Sequence, residues 1–184
     1  MTNLSCSIAF SRVISEAAVD VLGEADAANL PVSPRNGVDI EKWIDALQKN
    51  YGPNGSKGIA QRMGQAAFKY FLNSYGRDLN LTGLDFHLLP SAKRLRTGLK
   101  TVSQKLGQEC GADIQLDADN NAYYWRISLG STAEVYWIQN GFAYFLAGMA
   151  QELMSWSGGG KVYNVREVMD KTVCVLKMDQ RPLD

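Results

Sequence analysis

The chain has 184 residues, 46% hydrophobic and 21% charged. That length and balance favour one domain with a self-supporting core and exclude a disordered chain. Lysine plus arginine total 19, as do aspartate plus glutamate, so no net charge draws the protein toward nucleic acid or anionic lipid.

The first twenty residues lack a positive n-region, and their longest apolar run is Ile8 to Phe10. They do not read as a secretory signal. Ser11 is placed to cap a first helix ending near Gly23, with Val13, Ala17 and Val21 on one face. Residues 24–38 hold Pro31, Pro34 and Asn36-Gly37 and read as an irregular connector. Asp39 then caps a short helix in which Ile40, Trp43, Ile44 and Leu47 form an amphipathic stripe. The Tyr51-Gly-Pro-Asn-Gly stretch breaks it. Ser56 opens a longer helix carrying Ile59, Met63, Ala66, Ala67, Tyr70 and Phe71, which stops near Tyr75-Gly76.

Residues 77–90 read as a greasy loop. Pro90-Ser91 begins a helix whose buried stripe is Leu95, Leu99, Val102 and Leu106; it also carries Lys93, Arg94, Arg96, Lys100 and Lys105. After Gly111 the hydrophobic period changes from 3.6 to 2. Ala112 to Leu116 and Ala122 to Leu129 then form a hairpin across Asp117–Asn121. A last helix spans about Asn140 to Trp156 and ends at Ser157-Gly-Gly-Gly160. Two final strands, about 161–168 and 172–178, turn at Asp170-Lys171. The order of elements predicts an α+β fold, with N-terminal helices on one face of an antiparallel sheet and a late helix between two hairpins. No window approaches the roughly 18 uninterrupted apolar residues of a membrane span.

Chemistry-bearing patterns are sparse. His87 is the only histidine, and no GxSxG elbow accompanies it, so a catalytic triad has little to draw on. Cys6, Cys110 and Cys174 are far apart and form no CxxC; they read as reduced thiols of a cytoplasmic protein without a zinc site. The Asp117–Asn121 turn resembles a calcium loop until its sixth position, Ala122, and its twelfth, Ser128. Gly158-Gly-Gly-Lys161 follows a helix where a P-loop must precede one. The balanced total charge makes the basic helix a solvated face, with no nucleic-acid partner. What remains is an aromatic set dense enough to line an apolar pocket.

Two stretches carry a family resemblance: Arg62-Met-Gly-Gln-Ala-Ala-Phe-Lys-Tyr-Phe-Leu, and Gly141-Phe-Ala-Tyr-Phe-Leu-Ala-Gly-Met-Ala-Gln-Glu-Leu followed by Val165-Arg-Glu-Val and Cys174-Val-Leu-Lys-Met. They resemble the small-molecule-binding domain named after 4-vinyl reductase, over residues 56–179. Residues 1–55 then form a helical extension of the same domain. That family shares a superfamily with haem nitric-oxide-binding domains and small subunits of the TRAPP tethering complex. The resemblance implies a cavity between helices and sheet that takes a small apolar or aromatic ligand without catalysis. Together with periodicity it nominates Phe68, Phe71, Tyr124, Trp137, Phe142, Phe145 and Met149 as pocket walls, with His87 or Tyr124 orienting a polar atom.

It also implies a homodimer and, for a sensor, a separate protein partner. Zinc-binding members carry a cysteine cluster of which only Cys174 is matched here. The haem branch carries a proximal histidine and a Tyr-x-Ser-x-Arg motif; the motif is absent and His87 stands in a different context. The expectation is therefore no cofactor, neither zinc nor haem. Two other functions fit the same resemblance: a dimeric scaffold with a filled core, like the tethering subunits, and an accessory protein of tetrapyrrole vinyl reduction.

Overall fold

The computed structural model of the protein describes residues 5–128, 141–170 and 173–183. Its elements are β1 (Ser5–Cys6), α1 (Ile8–Leu22), α2 (Glu24–Ala27), β2 (Val38–Asp39), α3 (Ile40–Tyr75), α4 (Leu84–His87), α5 (Ser91–Cys110), β3 (Asp113–Ala118), β4 (Ala122–Ser128), α6 (Ala143–Ser157), β5 (Tyr163–Asp170) and β6 (Val173–Pro182). The fold is α+β, as the order of helices and hairpins implies. The four long strands form an antiparallel sheet in the order β3-β4-β6-β5. β1 and β2 pair separately.

Helix α6 is the centre of the assembly. It is buried on nearly every side, from Ala143 and Phe145 through Met154, because it is held against α3, α5 and β5 at once. A helix that is apolar all round can be stable only in such a place. Its partnership with α3 is the most extensive in the molecule, and it rests on glycines. A Cβ on Gly64 would strike the Phe145 carbonyl oxygen, and one on Gly148 would strike the Gln61 carbonyl oxygen. The two backbones therefore touch where a side chain would hold them apart. The spaced glycines of the sequence are helix-crossing residues.

Several boundaries differ from the sequence reading, for local reasons. Ser7, not Ser11, caps α1, its side-chain oxygen accepting from the Phe10 N–H at 3.1 Å. The Ser11 hydroxyl is buried and donates to the carbonyls of Ile8 and Ser33, pinning the connector to α1. That connector contains the short α2 and β2. The break expected at residues 51–55 is a kink inside α3: Gly52 takes φ 72°, and helical geometry resumes at once. Pro53 lacks only an N–H that a helix start would leave unpaired, and the Ser56 hydroxyl closes the turn on the Pro53 carbonyl at 3.1 Å. The loop of residues 77–90 includes α4.

The Asp117–Asn121 turn is a hairpin. The Asp119 carboxylate accepts from the Asn121 and Ala122 N–H groups at 2.7 and 2.8 Å, so its oxygen serves the backbone. Gly158–Gly160 close α6: the Gly158 and Gly160 N–H groups donate to the Met154 and Ser155 carbonyls, with Gly159 and Gly160 at positive φ. The turn expected at Asp170-Lys171 lies outside the described residues.

The reading of three reduced thiols is corrected. Cys6 and Cys110 form a disulfide that ties β1 to the end of α5, and only Cys174 is free. Sequence spacing missed the pair because its members are 104 residues apart. Beside the bridge, Ser7 donates to the Glu109 carboxylate and Lys105 pairs with it at 2.5 Å. Closing so long a loop removes unfolded-state entropy, so replacing both cysteines by serine should lower stability by about 2–4 kcal/mol. Denaturation with and without reductant checks this; an unchanged midpoint would contradict it. The disulfide also removes the thiol argument for a cytoplasmic location. No helix among the described residues is long and apolar enough to cross a membrane.

Candidate functional site

The structure separates the residues nominated from sequence. Phe68, Phe71, Phe142, Phe145 and Met149 are all buried in the main hydrophobic cluster. Phe145 packs edge-on to Phe10 and Trp43 and stacks on Phe142 at 6.2 Å. Phe68 contacts Phe71 and Trp156. These rings pack against one another where α1, α3 and α6 meet. Tyr124 lies half-buried on β4 and donates its hydroxyl to Asp119 at 2.7 Å. His87 is exposed on α4, its ring edge-on to Phe86 and Trp156. Trp137 falls outside the described residues. Arg94 and Lys105 of the basic helix have structural partners, Arg94 donating to the carbonyls of Ser157 and His87.

A different place has the makings of a site. A cleft of about 300 Å³ opens where α3, α6 and β5 meet. Helix α3 contributes Gln61; α6 contributes Ala143, Tyr144 and Ala147; β5 contributes Val165, Arg166 and Glu167. Glu167 is half-buried, with the Tyr144 hydroxyl near its carboxyl. Burial raises its pKa above the ordinary carboxylate value, against the influence of that hydroxyl and the charge of Lys57. The Lys57 ammonium stands 5.2 Å over the Tyr144 ring, a cation–π contact at the mouth. Behind the cleft, Gln61 and Gln65 both donate to the Gln151 side-chain oxygen, at 3.3 and 2.9 Å, and Gln151 donates to the Tyr163 carbonyl.

The sequence reading passed over this set because it followed aromatic residues. A signal was present. In Val165-Arg-Glu-Val168 the strand alternation turns Glu167 to the same side as Val165, and both are half-buried while Arg166 and Val168 are exposed. A carboxylate at an inward strand position is costly unless it has work or a partner.

Chemically, the cleft offers an acceptor-rich floor, an apolar wall and cations at its rim. It offers no nucleophile. The Cys174 thiol is pushed up to about 12, by burial and then by the charge of Glu167, so it stays protonated and inert. Among the described residues no three metal-ligating side chains come together.

No family model matches the sequence, and no curated protein matches it. Its fold is shared with solved H-NOX domains. An oxygen-binding H-NOX domain related to soluble guanylate cyclases, in its oxygen complex, aligns at a TM-score of 0.54 and 15% identity, over 93% of each chain. A point mutant of H-NOX from T. tengcongensis gives 0.56 and 14%, over 95% of this chain and 98% of that one. The Fe(II) unliganded H-NOX protein from K. algicida gives 0.59 and 9%, over 95% and 97%. The likeness is one of fold, and these neighbours are H-NOX domains, where the sequence resemblance pointed to 4-vinyl reductase domains.

The expectation of no cofactor is thereby corrected. The fold this chain adopts is one that other proteins build around iron, as the Fe(II) and oxygen-binding neighbours are described. His87 is exposed and stands outside the aromatic interior. Among the described residues, the buried, unpartnered side-chain polar atoms are Trp43 Nε1 and Trp125 Nε1, which donate and cannot ligate, and the hydroxyls of Tyr75 and Ser157, the last residues of α3 and α6. As packed, the described residues do not fit a haem.

Proposed function

We propose that the protein is a non-enzymatic small-molecule-binding module of sensor type, whose ligand occupies the cleft between α3, α6 and β5. The observation that carries this reading is the cleft itself: about 300 Å³ with an apolar wall and a few converging polar groups, as small-ligand sites are built. The fold likeness supports it, since an oxygen-binding neighbour is itself a small-molecule binder. The exposed His87 and the protonated Cys174 thiol argue against nucleophilic catalysis. Binding would be read out through the α3–α6 contact, whose two faces both reach the cleft.

A thermal-shift screen of small organic fragments tests this. A ligand at 100 times its Kd should add about 2.7 kcal/mol, or roughly 5–10 °C in Tm for a chain of this size. Ala147→Leu, which fills the cleft, should abolish the shift. A folded Ala147→Leu protein that still responds like the parent would contradict the assignment.

A further inference from the structure

We propose that the cleft selects a small primary amine, bound as its ammonium ion with an apolar body against Ala143, Ala147 and Val165. This rests on the ligand-binding reading above and names the class of ligand.

The Gln151 amide nitrogen lies 3.5 Å from the Tyr163 carbonyl, which can only accept, and this favours the amide orientation that turns its oxygen toward α3. Its oxygen then accepts from both Gln61 and Gln65, which must present their nitrogens to it. The Gln61 side-chain oxygen, at the cleft wall, is left with no hydrogen bond among the described residues. Glu167 has the Tyr144 hydroxyl near its carboxyl. It has no cation in ion-pair contact among the described residues, and its remaining lone pairs are unused.

The unspent capacity of the cleft is therefore acceptor capacity, with one negative charge in a half-buried position. A group with several N–H donors and a positive charge satisfies all of it, and charge-assisted hydrogen bonds are the stronger kind. A carboxylate ligand would meet Glu167 as a like charge. An alcohol has one proton for two acceptors. Lys57 beside the cleft repels a second positive charge, which favours monoamines over diamines.

The groups facing Glu167 set the pH response. They are Lys57 from α3, Tyr144 from α6, and Cys174 from β6 with its thiol neutral; Arg166 is its neighbour on β5 but alternates to the other side of the strand. Amine affinity should thus fall as pH drops through the range in which Glu167 becomes protonated.

The test is calorimetric titration of the full chain with n-butylamine and benzylamine. The matched alcohols n-butanol and benzyl alcohol, and the carboxylates butyrate and benzoate, are run beside them. The amines should bind at least tenfold more tightly than the alcohols, with the carboxylates weaker still. Glu167→Gln, which keeps the shape and the Tyr144 contact, should lose at least tenfold in amine affinity and leave alcohol binding unchanged. Alcohols or carboxylates binding as tightly as the amines would overturn the amine assignment alone, as would Glu167→Gln with unaltered amine affinity. Failure of all six compounds, together with a silent fragment screen, would overturn the ligand-binding reading as well.

Discussion

Gly148→Ala is expected to destabilise the protein by about 3 kcal/mol or more, the upper range for overpacking a tight interface. The added methyl would sit well inside contact distance of the Gln61 carbonyl oxygen and 2.9 Å from the Gln65 nitrogen. Both are backbone atoms of α3 and cannot rotate away. The only relief is separation of α3 from α6, which loosens the largest packed interface in the fold. Gly64→Ala meets the Phe145 carbonyl oxygen in the same way and should behave alike. Gly58 on the same helix has open space around it. Gly58→Ala should therefore stabilise by up to about 1 kcal/mol, through helix propensity alone. Urea denaturation of the three variants checks the contrast. A drop of roughly 6–12 °C in Tm is the thermal equivalent for the first two, and a Gly148→Ala midpoint like that of Gly58→Ala would contradict the crossing geometry.

The second large effect is expected at Phe145. Its ring is fully buried and touches Phe10 of α1, Trp43 of α3 and Phe142 before α6. Truncation removes buried apolar surface and leaves a cavity walled by three other rings, so Phe145→Ala should cost about 3–5 kcal/mol. The same substitution separates two roles. A side chain lining an open ligand pocket would cost much less to remove and would change ligand affinity directly. A loss under about 1 kcal/mol in denaturant melts, with altered ligand binding, would return Phe145 to the pocket wall.

The fold was legible wherever a pattern repeats within one element. The stripe Ile40, Trp43, Ile44, Leu47, the basic helix after Pro90 and the period change after Gly111 all place elements within a few residues of where they lie. The helix ends were less legible. Ser7 and Ser11 are equally good caps by composition, and only the burial of the Ser11 hydroxyl against Ser33 decides between them. The Cys6–Cys110 bridge is invisible locally, because it is made by the return of α5 to β1. Gly64 and Gly148 lie in the two stretches that carry the family resemblance, whereas their physical role needs both helices in place.

The candidate site was the least legible part, for a stated reason. Aromatic density signals burial and says nothing of whether the buried rings meet a ligand or each other. Here they meet each other, so the polar cleft stands at the margin of the core. Glu167, Tyr144 and Gln61 come from three elements and share no sequence motif. Their common feature is a polar atom turned inward with capacity to spare, and alternation along β5 hints at it for Glu167 alone.

The central claim is that the ligand lies in the cleft at the margin and not in the aromatic interior. Methyl-resolved NMR of the full chain, labelled at alanine, valine and methionine and titrated with the fragments of the thermal-shift screen, tests it most directly. The account predicts shifts at the Ala143, Ala147 and Val165 methyls, with Met63 and Met149 unmoved. Shifts centred on Met63 and Met149, with the three cleft methyls silent, would place the ligand among the rings and contradict it.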